Sequence, residues 1–290
     1  MLSKTAAANS TARDSRPAGP PIAVRLNDIA VRLGRRLALL DACCEIGAGA
    51  FVGVLGPNGS GKSTLIRAIL GMIPLASGRI EVFGKEPAAA RESFAYVPQR
   101  QNVELEFPLT VWDVVMMGRV RRFGWLLPPR KEDKGRVAWA LEQVDMADRR
   151  NSLIGELSFG QQQRVFFARA LAQEGSILML DEPLTGVDAN TQELLLELLA
   201  TFHSEGKTII MATHDLNEAA CVCDHLCFLN QRLIAYGPVA ETFTPEVLRE
   251  TYGAHAHFVE MPALGDHTEV VGEEHHHPDV RPDGQRNRLV

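Results

Sequence analysis

The stretch that most limits what this chain can fold into is GPNGSGKST, Gly56 to Thr64. It matches G-x4-G-K-[ST], and it lies where that motif must lie, directly after the apolar run FVGVL (Phe51 to Leu55) and at the opening of a helical stretch. Gly59 and Gly61 let the backbone curl until its N–H groups face phosphates. The helix start adds positive dipole, Lys62 reaches the terminal phosphates and Ser63 offers a hydroxyl to Mg²⁺. The candidate nucleotide-binding segment is therefore Gly56, Pro57, Asn58, Gly59, Ser60, Gly61, Lys62, Ser63 and Thr64, against the bland alternative of a chance Gly-rich turn.

The surrounding periodicity sets the fold class. IAVRL puts Ile29, Val31 and Leu33 on one side of a half-buried strand, whereas FVGVL, ILML (Ile177 to Leu180) and TIIMAT (Thr208 to Thr213) are continuous apolar runs of the kind found in buried parallel strands. Helices fit between them, over Lys62 to Met72 and over Asn190 to Glu205. The second carries Leu194, Leu195, Leu198, Leu199 and Phe202, with Gly206 as its stop. Strands alternating with helices predict a doubly wound α/β core with a mainly parallel sheet. From Gln101 to Asn151 no buried-strand run occurs and stretches such as Val137 to Ala147 are helical, which predicts an inserted helical subdomain within about 100–165.

With 290 residues, 46% of them hydrophobic, the chain can bury a sizeable core. Its net charge of -6 argues against a nucleic-acid partner, and the short RVRRF at Arg119 to Phe123 reads as a solvated surface. No apolar run approaches the roughly 18 to 20 residues needed to span a bilayer, so a membrane role requires a partner. Five cysteines, an odd number, fit a reducing compartment. In CVCDHLC, Cys221, Cys223, His225 and Cys227 point to different faces of the helix expected there, so packing cysteines are preferred to a metal site.

Residues 1–21 are small and polar without an apolar core, which predicts a disordered tail. An organelle leader is the alternative reading of their Ala, Ser and Arg content, against which Asp14 counts. Residues 262–290 are rich in Gly, Pro and charge and read as a second disordered tail, leaving 22–261 as the folded unit. His255, His257, His267 and His275 to His277 are numerous enough to hold a divalent metal, but solvated disorder is the preferred reading.

Three further motifs bear on chemistry. ILMLDEP ends a buried strand in two carboxylates, so that Asp181 can join a Mg²⁺ shell while Glu182 polarises a water. In TIIMATHD, His214 follows another buried strand and emerges at the same carboxyl edge of the sheet, where it can act at the γ-phosphate. In ELSFGQQQR, Ser158 and Gln161 have capping-box spacing, so a helix should begin there with free N–H groups, backed by Gly160, that suit a phosphate.

With these motifs in order, the chain resembles the ATP-binding subunits of ABC transporters over about residues 22–260. The resemblance is carried by the phosphate loop, the Gln of YVPQ (Gln99), LSFGQ, LMLDEP, the GVD turn ending at Asp188, and His214. It implies an ABC ATPase fold, with a P-loop core, an N-terminal antiparallel β subdomain and the inserted helical subdomain. It implies ATP and Mg²⁺ as cofactors, and a head-to-tail dimer in which Ser158, Gly160 and Gln161 act on the partner's nucleotide. By the same resemblance Gln99 senses Mg²⁺ and the attacking water, Glu182 is the general base, Asp188 links the two sites and His214 holds the γ-phosphate.

Two departures stand out. Phe159 occupies the usual first signature glycine, and Leu33 occupies the usual adenine-stacking aromatic position, with Arg35 or Arg36 available to compensate.

The segments Ala95 to Arg119, LNQRLIAYG and TYGAHAHFVE look like those of ATPases that serve manganese, zinc and iron importers. That likeness implies an integral membrane permease, docked near 100–125, and indirectly a metal-binding substrate-binding protein. It also implies a place on the cytoplasmic face of the cell membrane. The alternatives are an importer of iron-siderophore, haem or cobalamin type, and a soluble ABC-type ATPase. A non-enzymatic metal-binding protein built on the histidines is the reading from a different class.

Overall fold

The computed structural model describes residues 21–99, 108–123 and 127–253, with the backbone of 258–259 and 269–270. The readings made for 1–20, for the end histidines and for much of 100–125 lie outside these residues. β10 (Phe258–Val259), at the end of the segment read as folded, pairs antiparallel with β11 (Glu269–Val270), inside the segment read as the C-terminal tail.

Two sheets organise the chain. β1 (Ile22–Leu33) and β2 (Arg36–Gly47) form an antiparallel hairpin that turns at Gly34, whose φ of +60° suits a residue without Cβ. β4 (Ser77–Val82) pairs with the other edge of β1, giving the order β2-β1-β4. The second sheet holds β3 (Phe51–Leu55), β5 (Phe94–Val97), β6 (Ile177–Asp181), β7 (Thr208–Ala212), β8 (His225–Leu229) and β9 (Leu233–Pro238). Its order is β5-β6-β7-β3-β8-β9, parallel except for β9 at the edge.

The continuous apolar runs have a plain cause, because the larger sheet is buried on both faces. Along β3, Phe51 and Leu55 join one core while Val52 and Val54 join the other; β6 divides likewise, with Leu178 and Leu180 opposed to Ile177 and Met179. One face packs on the antiparallel sheet and α1 (Lys62–Ile69). The other packs on α5 (Phe159–Ala172), α6 (Ala189–Ser204) and α7 (Leu216–Val222). Gly53 in β3 is closely packed against α7: a Cβ would lie 3.1 Å from Cys223 Sγ and 3.3 Å from the Ala219 methyl, so these neighbours would have to give way slightly.

Between β5 and β6 the described residues form α2 (Val111–Met116), α3 (Val120–Phe123), α4 (Lys131–Gln143) and α5, with no strand beyond a single bridge between Thr110 and Leu153. Arg119, buried at 2% exposure, ties this region together: it donates to Asp133 Oδ1 of α4 at 3.0 Å and to the Ala172 carbonyl at the end of α5 at 2.8 Å. The RVRRF run is therefore not wholly a solvated surface. Its first residue is a buried ion-pair hub, and isolated burial of that guanidinium would be costly without these partners.

Four sequence expectations shift. The helix from Lys62 stops at Ile69, where Gly71 takes φ +67°. The helix expected over Val137 to Ala147 begins earlier, at Lys131, because Asp133 accepts from the Arg130 N–H and caps it there. CVCDHLC is not one helix: α7 ends at Val222, and Asp224 accepts from the Phe51 N–H at 2.9 Å, which draws the chain into the sheet as β8. The alternation Ile29, Val31, Leu33 breaks at its last member. The β1–β2 ladder shifts register between Val31 and Arg32, so Ile29 and Val31 are fully buried while Leu33 is 48% exposed.

Among the cysteines, Cys44, Cys223 and Cys227 are buried and Cys43 and Cys221 are exposed. Burial pushes the Cys44 thiol up to about 12 and also raises the pKa of the Cys223 and Cys227 thiols. No group of three metal-ligating side chains occurs among the described residues.

Phe167 of α5 is fully buried between the helical region and the sheet. Phe167→Ala should lower stability by about 3 to 5 kcal/mol in urea unfolding, the cost of a lost ring and the cavity left behind.

Candidate functional site

The phosphate loop leaves the carboxyl end of β3 and wedges between two neighbouring strands. At Gly56, φ +153°, a Cβ would collide with the Leu229 carbonyl oxygen at the end of β8; at Gly61, φ +109°, it would lie 2.9 Å from the Ala38 carbonyl of β2. The Gln231 N–H donates to the Ser60 carbonyl at 2.8 Å and so holds the loop from the β8–β9 turn. Glycine at these positions is thus fixed by packing as well as by the need to present N–H groups. Gly61 is also the N-cap of α1 and has no side-chain acceptor, which leaves the first-turn N–H groups for an anion.

Lys62 is 5% exposed and donates through Nζ to the carbonyls of Gly56 at 2.7 Å and Pro57 at 3.3 Å. Burial lowers its pKa, while the carboxylates of Glu182 and Asp181 act in the opposite direction. Ser63 Oγ donates to Asp181 Oδ1 at 2.8 Å, across from the end of β6. Asp181 is fully buried, its other oxygen, Oδ2, has no hydrogen-bond partner, and burial raises its pKa. A buried carboxylate oxygen without a partner, beside a hydroxyl, suits a hard cation that takes few protein ligands and completes its shell with water and phosphate oxygens. Ser63 and Asp181 therefore fit Mg²⁺.

Glu182, the next residue, has φ +51°, a left-handed backbone that a glutamate adopts at a cost of about 1 to 3 kcal/mol. Its N–H donates to the Ala212 carbonyl of β7 at 3.0 Å, so the turn is pinned to the sheet. The side chain is aimed by Gln99, whose Nε2 donates to Glu182 Oε2 at 2.9 Å. That bond brings the end of β5 to the end of β6.

These groups share one cleft of about 330 Å³, lined by Asn58 to Thr64, Gln99, Glu182, Leu33, Arg36 and Ala38. Leu33 thus stands at the cleft wall, and of the two candidate arginines it is Arg36 that lines the cleft, reaching over Gly59. Gly56 and Pro57 support the loop from behind through their carbonyls.

The remaining sequence-derived residues do not line this cleft. Ser158 caps α5: its Oγ accepts from the Gln161 N–H at 3.3 Å and Gln161 Oε1 accepts from the Ser158 N–H at 3.0 Å, the reciprocal box that the spacing predicts. Gly160 is buried within the same chain, because a Cβ there would lie 2.5 Å from Asp188 Oδ2. Asp188 caps α6, accepting from the Thr191 N–H and from Thr191 Oγ1, both at 2.9 Å, and these bonds lower its pKa. His214 is exposed just beyond β7.

Sequence reasoning missed Gln162 and Gln163, which are 4% and 3% exposed. Gln163 Nε2 donates to the Pro183 carbonyl at 2.8 Å, beside Glu182, and Gln162 Nε2 donates to the carbonyls of Ile154 and Leu157. The signal was present in the unbroken GQQQR run, since consecutive glutamines on a helix cannot all face solvent.

Against known proteins, a family model described as ABC transporter matches residues 39–185. The zinc transport system ATP-binding protein TroB of Treponema pallidum is 44% identical over 231 residues, which cover 80% of this chain and 87% of that one. The manganese transport system ATP-binding protein MntB of Bacillus subtilis is 42% identical over 243 residues, 84% of this chain and 97% of that one. Among solved structures, a transporter described as of metal-chelate type, in an inward-facing conformation, superposes with a TM-score of 0.75 at 26% identity, covering 86% of this chain and 97% of that chain.

Ser63→Ala removes the hydroxyl that partners the buried Asp181 and should lower stability without nucleotide by about 1 to 3 kcal/mol in chemical denaturation. The same variant should need more Mg²⁺ than the unsubstituted protein to support nucleotide binding in a fluorescence titration.

Proposed function

The chain belongs to the ABC transporter ATP-binding subunits and is an ATP hydrolase, and from that premise we propose that it powers import of manganese, zinc or iron through a separate membrane permease. The observation that carries the chemical part is the convergence of Lys62, Ser63, Gln99 and Glu182 on one cleft, with Asp181 bonded to Ser63 behind it. The cargo rests on relatives above 40% identity that are named for zinc and manganese transport.

In this reading the loop N–H groups and Lys62 hold the β- and γ-phosphates, and Ser63 and Asp181 hold Mg²⁺, which neutralises charge that develops on the transferred phosphoryl group. Glu182 orients the attacking water and takes its proton. The amide of Gln99 occupies Oε2 and leaves Oε1 for that water, while the pinned backbone fixes where the carboxylate points. His214 contacts the γ-phosphate once a nucleotide brings its loop inward. Catalysis is then largely positioning and electrostatics.

The reading extends to a head-to-tail pair of these chains. Ser158, Gly160 and Gln161 lie away from the cleft of their own chain, so the positive end of α5 is placed to serve the nucleotide of a second copy, which would take over from the capping box that engages the Ser158 and Gln161 N–H groups, and Asp188 stands between the two sites. The permease and the substrate-binding protein that delivers the metal lie outside this chain, and the docking face is assigned to the helical region near 100–125, on the cytoplasmic side of the membrane. A chelate importer is the second reading, favoured by the likeness to a metal-chelate-type transporter, although its identity of 26% is well below that of the zinc and manganese relatives.

Glu182→Gln should bind ATP yet lose hydrolysis by about 100-fold or more; near-normal turnover would remove Glu182 as base. In host cells grown with limiting metals, elemental analysis of the same variant should show a selective fall in one of manganese, zinc or iron. Unchanged contents of all three, with active unsubstituted protein, would shift the cargo to an organic chelate.

A further inference from the structure

The amino end of α5 is built onto the segment that follows Glu182. Gln163 Nε2 donates to the carbonyl of Pro183, the residue next to the candidate base, at 2.8 Å. The half-buried ring of Phe159 lies over Gly186, φ +75°, where an added methyl would sit 3.5 Å from Cζ. Gly160 meets the Asp188 carboxylate closely, as described, and Arg164 Nε donates at 3.2 Å to Thr191 Oγ1, which itself donates to Asp188 Oδ2. Four successive points of one helix end thus grip residues 183–191.

The grip has a direction. Glu182 is held at one side by its N–H bond to Ala212 in the sheet and at the other by the Pro183 carbonyl, which is held from α5. A shift of the α5 end is therefore passed to the Pro183–Leu184 peptide, one residue beyond Glu182, because packed contacts of this kind transmit displacement rather than absorb it. Phe159 fills the space over Gly186 that a smaller residue would leave open, so the bulky side chain at this position serves the chain's own loop.

We propose that Phe159 and Gln163 are positioning residues that join the Ser158–Gln161 end of α5 to Glu182 of the same chain, so that a nucleotide engaged by that end sets the aim of the base at the chain's own site. This rests on the reading that Ser158 acts on a second copy's nucleotide. The two copies are then coupled through a strut inside each protomer, in addition to any contact across their interface.

The test uses a heterodimer of differently tagged protomers in which one retains Glu182 and the other carries Glu182→Gln, so that a single site turns over. Phe159→Ala placed in the protomer that retains Glu182 should lower kcat about tenfold with KM for ATP unchanged, the pattern of an interaction used in the transition state and not in ground-state binding. Phe159→Leu, which refills most of the space, should restore most of the rate. Gln163→Met, similar in length but without the donor, should reproduce the kcat loss, and thermal melting of each heterodimer shows that it is folded. A control with Ser158→Arg in the other protomer should abolish turnover. If that control is dead while Phe159→Ala and Gln163→Met both keep full kcat, or change only KM, the strut is overturned and the sandwich stands. If the control stays active, the sandwich reading falls and this inference with it.

Discussion

A parallel sheet buried on both faces can offer a ligand only its edges, and this constraint arranges the rest of the molecule. With one face of β3, β6 and β7 committed to α5 and α6 and the other to α1 and the antiparallel sheet, polar chemistry is confined to the loops beyond the carboxyl ends of the strands. The phosphate loop follows β3, Asp181 and Glu182 end β6, Gln99 follows β5, and His214 follows β7. Residues separated by more than a hundred positions meet because the strand order puts β7 between β3 and β6.

At that edge, glycine and charge work together. Gly56 and Gly61 bring the loop against the carbonyls of Leu229 and Ala38, close enough to bury most of Lys62. Burial then opposes charge on Lys62 and on Asp181, while each moderates the other across the site. Such an arrangement favours a ligand that brings both signs at once, polyphosphate with its divalent cation, over a simple anion that would leave Asp181 uncompensated.

The legible part of the chain was the part whose local pattern and tertiary role coincide. FVGVL, ILML and TIIMAT are apolar throughout because both faces are covered, and Ser158 with Gln161 forms a cap that needs no distant partner. What escaped depended on distant groups. CVCDHLC turns from helix to strand because Asp224 is captured by the Phe51 amide; Leu33 leaves the core because its ladder slips by a residue; Arg119 is buried because Asp133, Glu174 and the end of α5 surround it. Gly160 was legible as a residue that frees N–H groups but not as one demanded by Asp188 of the same chain. No spacing rule discloses a contact between segments almost thirty residues apart.

The unequal burial of the five cysteines gives the molecule a built-in pair of reporters. Only the thiolate reacts, so Cys44, Cys223 and Cys227, shielded and pushed toward higher pKa, are poor nucleophiles, whereas Cys43 and Cys221 stand in solvent. Cys43 rides on β2 of the antiparallel sheet and Cys221 on α7, which packs on the far face of the parallel sheet. A maleimide dye pair would therefore sit on two elements of different layers without any engineered residue, and energy transfer between the dyes would follow how those layers move as ATP is bound and consumed.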